Sequence, residues 1–207
     1  MKAKPTKPPV EIPEPTLIGY FAKLTMKRPD WLTAPQVEEI CSASTCMSRA
    51  DWDWLNVWKH NEMWLYDSPD LATDVVPAEK LAACDVYAYR LYPVRFVQGC
   101  RKLFTIPMVK PSALNSGFER FGYDLFSRTF EKISDCSPLF ECSPLSCNNL
   151  AAEVPTNRYC LLDTAEEAFS LAPTLEVPGQ PPRGEPGPYF IVEVWRQRRE
   201  RTPSSVG

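Results

Sequence analysis

The sequence has one histidine, His60, and only eight glycines among 207 residues. Any Ser-His-Asp or Cys-His catalytic pair would need His60, because the base must reach hydrogen-bonding distance of the nucleophile. The phosphate loop G-x-x-x-x-G-K-[ST], the dinucleotide fingerprint G-x-G-x-x-G, H-E-x-x-H and G-x-S-x-G are all missing. These absences argue against ATP, GTP and NAD held by such loops, and we predict no cofactor.

Long apolar runs are also missing. No stretch approaches the roughly 18 residues of a membrane helix, and "MKAKPTKPPVEIPEP" has no hydrophobic segment of the signal-peptide type. We therefore expect no membrane partner and a cytoplasmic location. The net charge of −3 gives no electrostatic reason to bind a phosphate backbone, so nucleic acid is not an expected partner. The basic run "WRQRRER" at 195–201 is typical of a solvated tail.

The composition is that of an ordinary globular protein, with 44% hydrophobic and 24% charged residues. Residues 1–15, rich in Pro, Lys and Glu, are predicted to form a flexible tail, and residues 197–207 a basic flexible tail. Residues 16–196 are predicted to form a single globular domain.

Local patterns predict strands at "TLIGYFAK", "DVYAYRLYPVRF" and "PYFIVEVWR", because these segments are rich in β-branched and aromatic residues. "PQVEEI", from Pro35, predicts a short helix with proline at its first position. The aromatic segment around Gly122 fits either a helix or a helix followed by a strand.

An internal echo is the most informative pattern. "NEMWLYDSPDLAT", from Asn61, aligns without a gap on "NRYCLLDTAEEAF", from Asn157. Each copy has a capping residue and an acidic first helical turn, and each is followed by a predicted strand. We predict an α+β or α/β fold with a mixed sheet built from two similar strand-helix-strand units, 61–96 and 157–196, and short helices packed on it.

A tryptophan-rich segment precedes the first copy. Trp54 and Trp58 stand four residues apart, so a helix would place them on one face. Together with Trp64, they suit either a hydrophobic core or a binding surface.

Cysteine is abundant, with eight residues, and "CSPL" occurs at 136–139 and again at 142–145. In a chain expected to be cytoplasmic, free thiols are favoured over disulfides. Zinc sites usually contain closely spaced ligand pairs such as C-x₂-C. The gaps after Cys136, Cys142 and Cys147 are longer than that, so we predict no metal site.

Two interpretations of the stretch "ECSPLSCNNL" remain open. In the first, Cys142 or Cys147 is a thiol activated at a helix start, with His60 as its base. Other polar side chains would then bind or orient a ligand: Ser143, Ser146, Asn148 and Arg158. In the second, the serines cap a short helix through Leu150 and the cysteines pack inward.

The functional hypothesis is a protein-binding, regulatory or inhibitor-type module that uses the Trp-rich surface and the Cys-rich loop. We expect its partner to be another protein. The alternative is a cysteine-dependent hydrolase or transferase.

Overall fold

The computed structural model describes residues 11–44, 46–47, 50, 60–127 and 142–197. Its main feature is a five-stranded sheet with the strand order β1 (Thr16–Leu24), β4 (Cys84–Val97), β7 (Tyr189–Gln197) and β6 (Phe118–Ser127), in which β5 (Cys100–Leu103) also pairs with β4. A separate ribbon joins β2 (Met26–Lys27) to β3 (Glu39–Ile40). The described residues also form three short α-helices, α1 (Pro69–Asp74), α2 (Ala78–Leu81) and α3 (Ala165–Leu171), and two 3₁₀ turns, Leu150–Ala152 and Ala172–Thr174.

This architecture is an α+β fold dominated by its sheet. All of the described ladders are antiparallel, so the mixed sheet expected from the sequence is not what forms. No helix among the described residues has the length and apolar character needed to cross a membrane. Residues 11–15 contact the domain, since Arg101 donates a hydrogen bond to the Glu11 carbonyl and Ile12 packs against buried side chains.

The three predicted strands are confirmed as β1, β4 and β7. The segment around Gly122 forms the strand β6, with a bulge between Arg120 and Gly122. The helix predicted from Pro35 is wrong. The backbone N–H groups of Glu38 and Glu39 donate to the Arg158 carbonyl, so a tertiary contact takes the groups that a helix would use.

Both predicted helix starts are confirmed. The Ser68 hydroxyl accepts a hydrogen bond from the Leu71 N–H at 3.2 Å, and Pro69 follows the cap. At the start of α3, Thr164 and Glu167 form a capping box, in which each side chain accepts a hydrogen bond from the other residue's backbone N–H.

Asn61 organises the corner between β1 and α1. Its amide nitrogen donates to the Ile18 carbonyl at 3.0 Å and to Asp67 at 2.9 Å. Its amide oxygen accepts the backbone N–H groups of Met63 and Leu65. The side chain therefore joins the turn to a bulge in β1.

Asn157 has the corresponding position between β6 and α3. Its amide nitrogen donates to the Phe121 carbonyl at 2.9 Å and to Asp163 at 3.1 Å. Its amide oxygen accepts the N–H groups of Tyr159 and Leu161. The two asparagines thus have the same four types of hydrogen bond.

A glycine with positive φ faces each of these corners. Gly19 has φ +144° and Gly122 has φ +147°, a region that side chains disfavour. A Cβ atom on Gly19 would lie 2.6 Å from the Leu65 Cβ, and one on Gly122 would lie 2.5 Å from the Leu162 carbonyl oxygen. Only glycine allows the turn to pack this closely on the strand.

Candidate functional site

Three cysteines converge at one place on the surface. The sulfur atoms of Cys46, Cys142 and Cys147 all lie within 4.8 Å of one another, and those of Cys46 and Cys142 are 3.5 Å apart. Cys46 is exposed, whereas the other two are half-buried. We call these residues the three-cysteine cluster.

The cluster forms where two segments with the same sequence pattern meet. Residues 41–46, "CSASTC", and residues 142–147, "CSPLSC", both follow the pattern C-S-x-x-x-C. We call them the first and the second cysteine segment. This shared pattern was the available signal that the two segments act together, and the spacing argument on Cys136, Cys142 and Cys147 did not include it.

A buried carboxylate fastens both segments to β6. Asp124 is fully buried and accepts hydrogen bonds from the Ser42 hydroxyl at 2.8 Å, the Ala43 N–H at 2.7 Å and the Ser143 hydroxyl at 2.6 Å. Burial raises the pKa of the Asp124 carboxyl, and the hydroxyl donors oppose that rise. The corresponding serine of each segment therefore binds the same side chain.

The first cysteine segment is also held from below by β1. The Lys23 ammonium donates to the Ser42 carbonyl and lies 4.3 Å from the centroid of the Tyr87 ring. Burial lowers the pKa of Lys23 to about 8. Cys41, the segment's first cysteine, points into the interior and does not join the cluster.

Cys41 instead belongs to a buried polar group around Arg196. The guanidinium of Arg196 donates to the Cys41 sulfur at 3.3 Å and to Glu39 at 2.9 Å, and it lies 3.6 Å from Asp85. Burial raises the pKa of the Cys41 thiol to about 11, although Arg196 opposes the rise. The Cys41 thiol is fully buried and packs within this polar group.

The remaining two sulfurs have defined surroundings. The Ser44 hydroxyl lies 3.2 Å from the Cys147 sulfur, and the Cys147 N–H donates to the Ser143 carbonyl at 2.7 Å. Burial raises the pKa of Cys147. Burial and then the neighbouring Cys46 raise the pKa of Cys142. Neither thiol has the lowered pKa of an activated nucleophile.

No hydrogen bond joins His60 to a cysteine among the described residues. His60 pairs with Tyr66, which in turn pairs with Tyr20 in β1, whereas Cys142 pairs with Ser127 in β6. Strands β1 and β6 are the two ends of the four-strand order. His60 stacks on Trp64 with 4.4 Å between ring centroids, and its Nδ1 lies 3.4 Å from the Asn61 carbonyl oxygen.

The expected helix start in the second cysteine segment is replaced by another arrangement. Leu150–Ala152 forms a single 3₁₀ turn without a side-chain cap, and it follows Asn149, which has a left-handed backbone. Ser143 is bound to Asp124, and the Ser146 hydroxyl lies 4.0 Å from the Cys147 sulfur. Ser143 therefore serves a tertiary contact, and neither serine caps the 3₁₀ turn.

The other predicted site residues are dispersed. Arg158 forms an ion pair with Glu38, and its guanidinium lies 5.5 Å from the Tyr159 ring centroid. Asn148 is exposed and lies close to Gly184. The binding surface predicted at Trp54 and Trp58 lies outside the described residues.

Comparisons with models of known protein families, with curated proteins and with solved structures gave no match. The arguments that follow therefore use only the residues of this chain.

Proposed function

We propose that this protein is a binding module whose working site is the three-cysteine cluster, and that the site holds one thiophilic metal ion such as Zn²⁺ or Cu⁺. The observation that carries the proposal is the convergence of three sulfurs within 4.8 Å. Thiolates are the protein ligands that these ions prefer.

The sulfur spacing suits such an ion. A Zn–S bond of about 2.3 Å places neighbouring sulfurs about 3.8 Å apart around a tetrahedral ion. The separation of 3.5 Å between Cys46 and Cys142 is close to that value. The proposal of a metal site differs from the prediction made from the sequence, which was no metal site. The difference arises because the spacing argument did not include the segment that contains Cys46.

The surroundings of the cluster support binding more than catalysis by a free thiol. A cysteine nucleophile needs a lowered pKa or a base within hydrogen-bonding reach. Burial raises the pKa of both Cys142 and Cys147, and no hydrogen bond joins His60 to either thiol among the described residues. A metal ion, in contrast, displaces the thiol protons as it binds.

Three protein ligands leave a position free on a four-coordinate ion, and Cys46 is exposed. The proposed protein partner would meet the module at this rim. The second cysteine segment would then be part of the surface that binds the protein partner. The Trp-rich surface remains a separate prediction.

We also infer an internal duplication with units 61–96 and 157–196, each preceded by an edge strand. The matching hydrogen bonds of Asn61 and Asn157 support it, as do the matching glycines in β1 and β6. The sheet order supports it too, because each unit contributes one central strand, β4 or β7, which pairs with the edge strand that precedes the unit, β1 or β6.

Metal titration of the reduced full-length chain tests the proposed function. We expect one Co²⁺ per chain, with the near-ultraviolet absorption of thiolate-to-cobalt charge transfer, and we expect Zn²⁺ to displace it. Cys46→Ser should weaken binding by more than about 100-fold, because losing a ligand costs more than the 10–100-fold typical of losing an outer-shell partner.

Cys100→Ser is the matched control, because Cys100 is also exposed but lies in β5, outside the cluster. It should leave both stoichiometry and affinity unchanged. Equal binding by the Cys46→Ser variant and the unaltered chain would refute the proposal, and so would failure of the reduced chain to bind Co²⁺, Zn²⁺ or Cu⁺.

A further inference from the structure

We propose that the three-cysteine cluster is controlled by oxidation, through a disulfide between Cys46 and Cys142 that releases the metal ion. The release rests on the proposed metal binding, whereas the disulfide rests on geometry alone. The sulfur atoms of Cys46 and Cys142 are 3.5 Å apart, and the two residues belong to different cysteine segments.

The required movement is small. A disulfide has an S–S distance of about 2.05 Å, so the two sulfurs must approach by about 1.5 Å. Cys46 lies in a turn at the surface, where a side chain can move without disturbing buried packing. The neighbouring Met47, in contrast, is buried and anchors the turn.

The exposure of the three thiols assigns their roles. A hydroperoxide reaches the exposed Cys46 first, and accessibility is one of the two factors that determine thiol oxidation. The Cys142 sulfur lies 3.5 Å from the Cys46 sulfur, within reach of a sulfenic acid formed there. Cys147 lies against the Ser44 hydroxyl at 3.2 Å and stays reduced.

The chemistry balances with hydrogen peroxide as the oxidant. The Cys46 sulfur attacks one peroxide oxygen, the O–O bond breaks, and a sulfenic acid and one water form. The Cys142 sulfur then attacks the Cys46 sulfur and displaces the hydroxyl group as a second water. Two thiols have lost two protons and two electrons, and the peroxide has become two waters. A dithiol reductant reverses the reaction by exchange.

Formation of this disulfide removes two of the three ligands. Cys147 alone cannot hold the ion against solvent, so the affinity should fall by at least about 100-fold, more than the effect of losing an outer-shell partner. The bond would also join the two cysteine segments covalently next to their shared anchor, Asp124.

The test treats the full-length chain, metal-free and Zn²⁺-loaded, with one equivalent of hydrogen peroxide. We expect the intact mass to fall by two hydrogens, a peptide map with Cys46 joined to Cys142, and Cys147 still open to alkylation. In the Zn²⁺-loaded sample, a chromophoric chelator should detect Zn²⁺ release at the same rate as the disulfide forms. Cys46→Ser should abolish the disulfide, and Cys147→Ser should leave it intact.

The outcomes separate the two proposals. A reduced chain that binds no ion refutes the proposed function and with it ion release, while the peptide map still decides the disulfide. A chain that binds Zn²⁺ but keeps it after oxidation refutes the switch, and so does a map that joins Cys147 to either partner. Cys100→Ser should behave like the unaltered chain, and a changed oxidation product in that variant would contradict the assignment.

Discussion

Replacing Asp124 by alanine removes one acceptor from three donors that come from both cysteine segments. The Ser42 and Ser143 hydroxyls and the Ala43 N–H all donate to this carboxylate within 2.8 Å, and Asp124, Ser42 and Ser143 are fully buried. An unsatisfied buried donor costs about 1–3 kcal/mol. Relief of the carboxylate's own desolvation offsets part of that, so we expect Asp124→Ala to lower the free energy of unfolding by about 3–5 kcal/mol.

A double-mutant cycle measured by urea unfolding tests the origin of that loss. Ser143→Ala alone should cost about 1.5–3 kcal/mol, the range for hydrogen bonds to charged groups. In the Asp124→Ala background the same substitution should cost almost nothing, because its partner is already missing. Additive effects in the cycle would refute the role that we assign to the carboxylate.

Thiol labelling adds a readout that a general loss of stability would not give. Asp124→Asn keeps one acceptor oxygen and should lose less stability, yet it should speed the labelling of Cys147 because the second cysteine segment loosens. Glu193→Gln is the matched control, since Glu193 is a buried carboxylate that accepts from Arg90 and Trp195 and does not contact the cluster. Equal acceleration in both variants would contradict the assignment.

Two further sets of substitutions, at Lys23 and at three glycines, test the framework around the site. As pH rises from 8 to 10.5, the free energy of unfolding of the unaltered chain should increase by up to about 3 kcal/mol relative to that of Lys23→Met. In that window Lys23 keeps its proton in the unfolded chain and has released it in the folded chain. A difference in urea unfolding that does not change with pH would contradict this. Gly19→Ala and Gly122→Ala should each cost roughly 3 kcal/mol or more through close contact and positive φ. Gly179→Ala, with positive φ but nothing within 4 Å, should cost only about 1 kcal/mol, and equal melting temperatures for all three would contradict the packing at the corners.

Elements specified by local chemistry were predictable from the sequence. The capping residues Ser68 and Thr164 and the strands β1, β4 and β7 follow from preferences that act over a few residues. The helix predicted from Pro35 failed for the opposite reason. Its backbone N–H groups bind the Arg158 carbonyl, more than a hundred residues away in the sequence, and no local pattern reports such a partner.

The candidate site was predictable only in part. Cys142, Cys147 and Ser143 were singled out from the sequence, but as parts of a helix start with His60 nearby. In the fold His60 pairs with Tyr66 and Cys142 pairs with Ser127 in β6, and no hydrogen bond joins His60 to a cysteine among the described residues. It also supplies Cys46, whose segment lies far away along the chain.

Short-range preferences in the sequence were enough to predict which segments become strands, where two helices begin, and that two asparagine-containing segments resemble each other. The folded chain was needed to show that the two cysteine segments share one buried carboxylate, Asp124, and that three of their sulfurs meet at the surface. The reason is physical, because a metal or redox site depends on distances between side chains. The pairing of β1, β4, β7 and β6 sets those distances, and spacing along the chain does not.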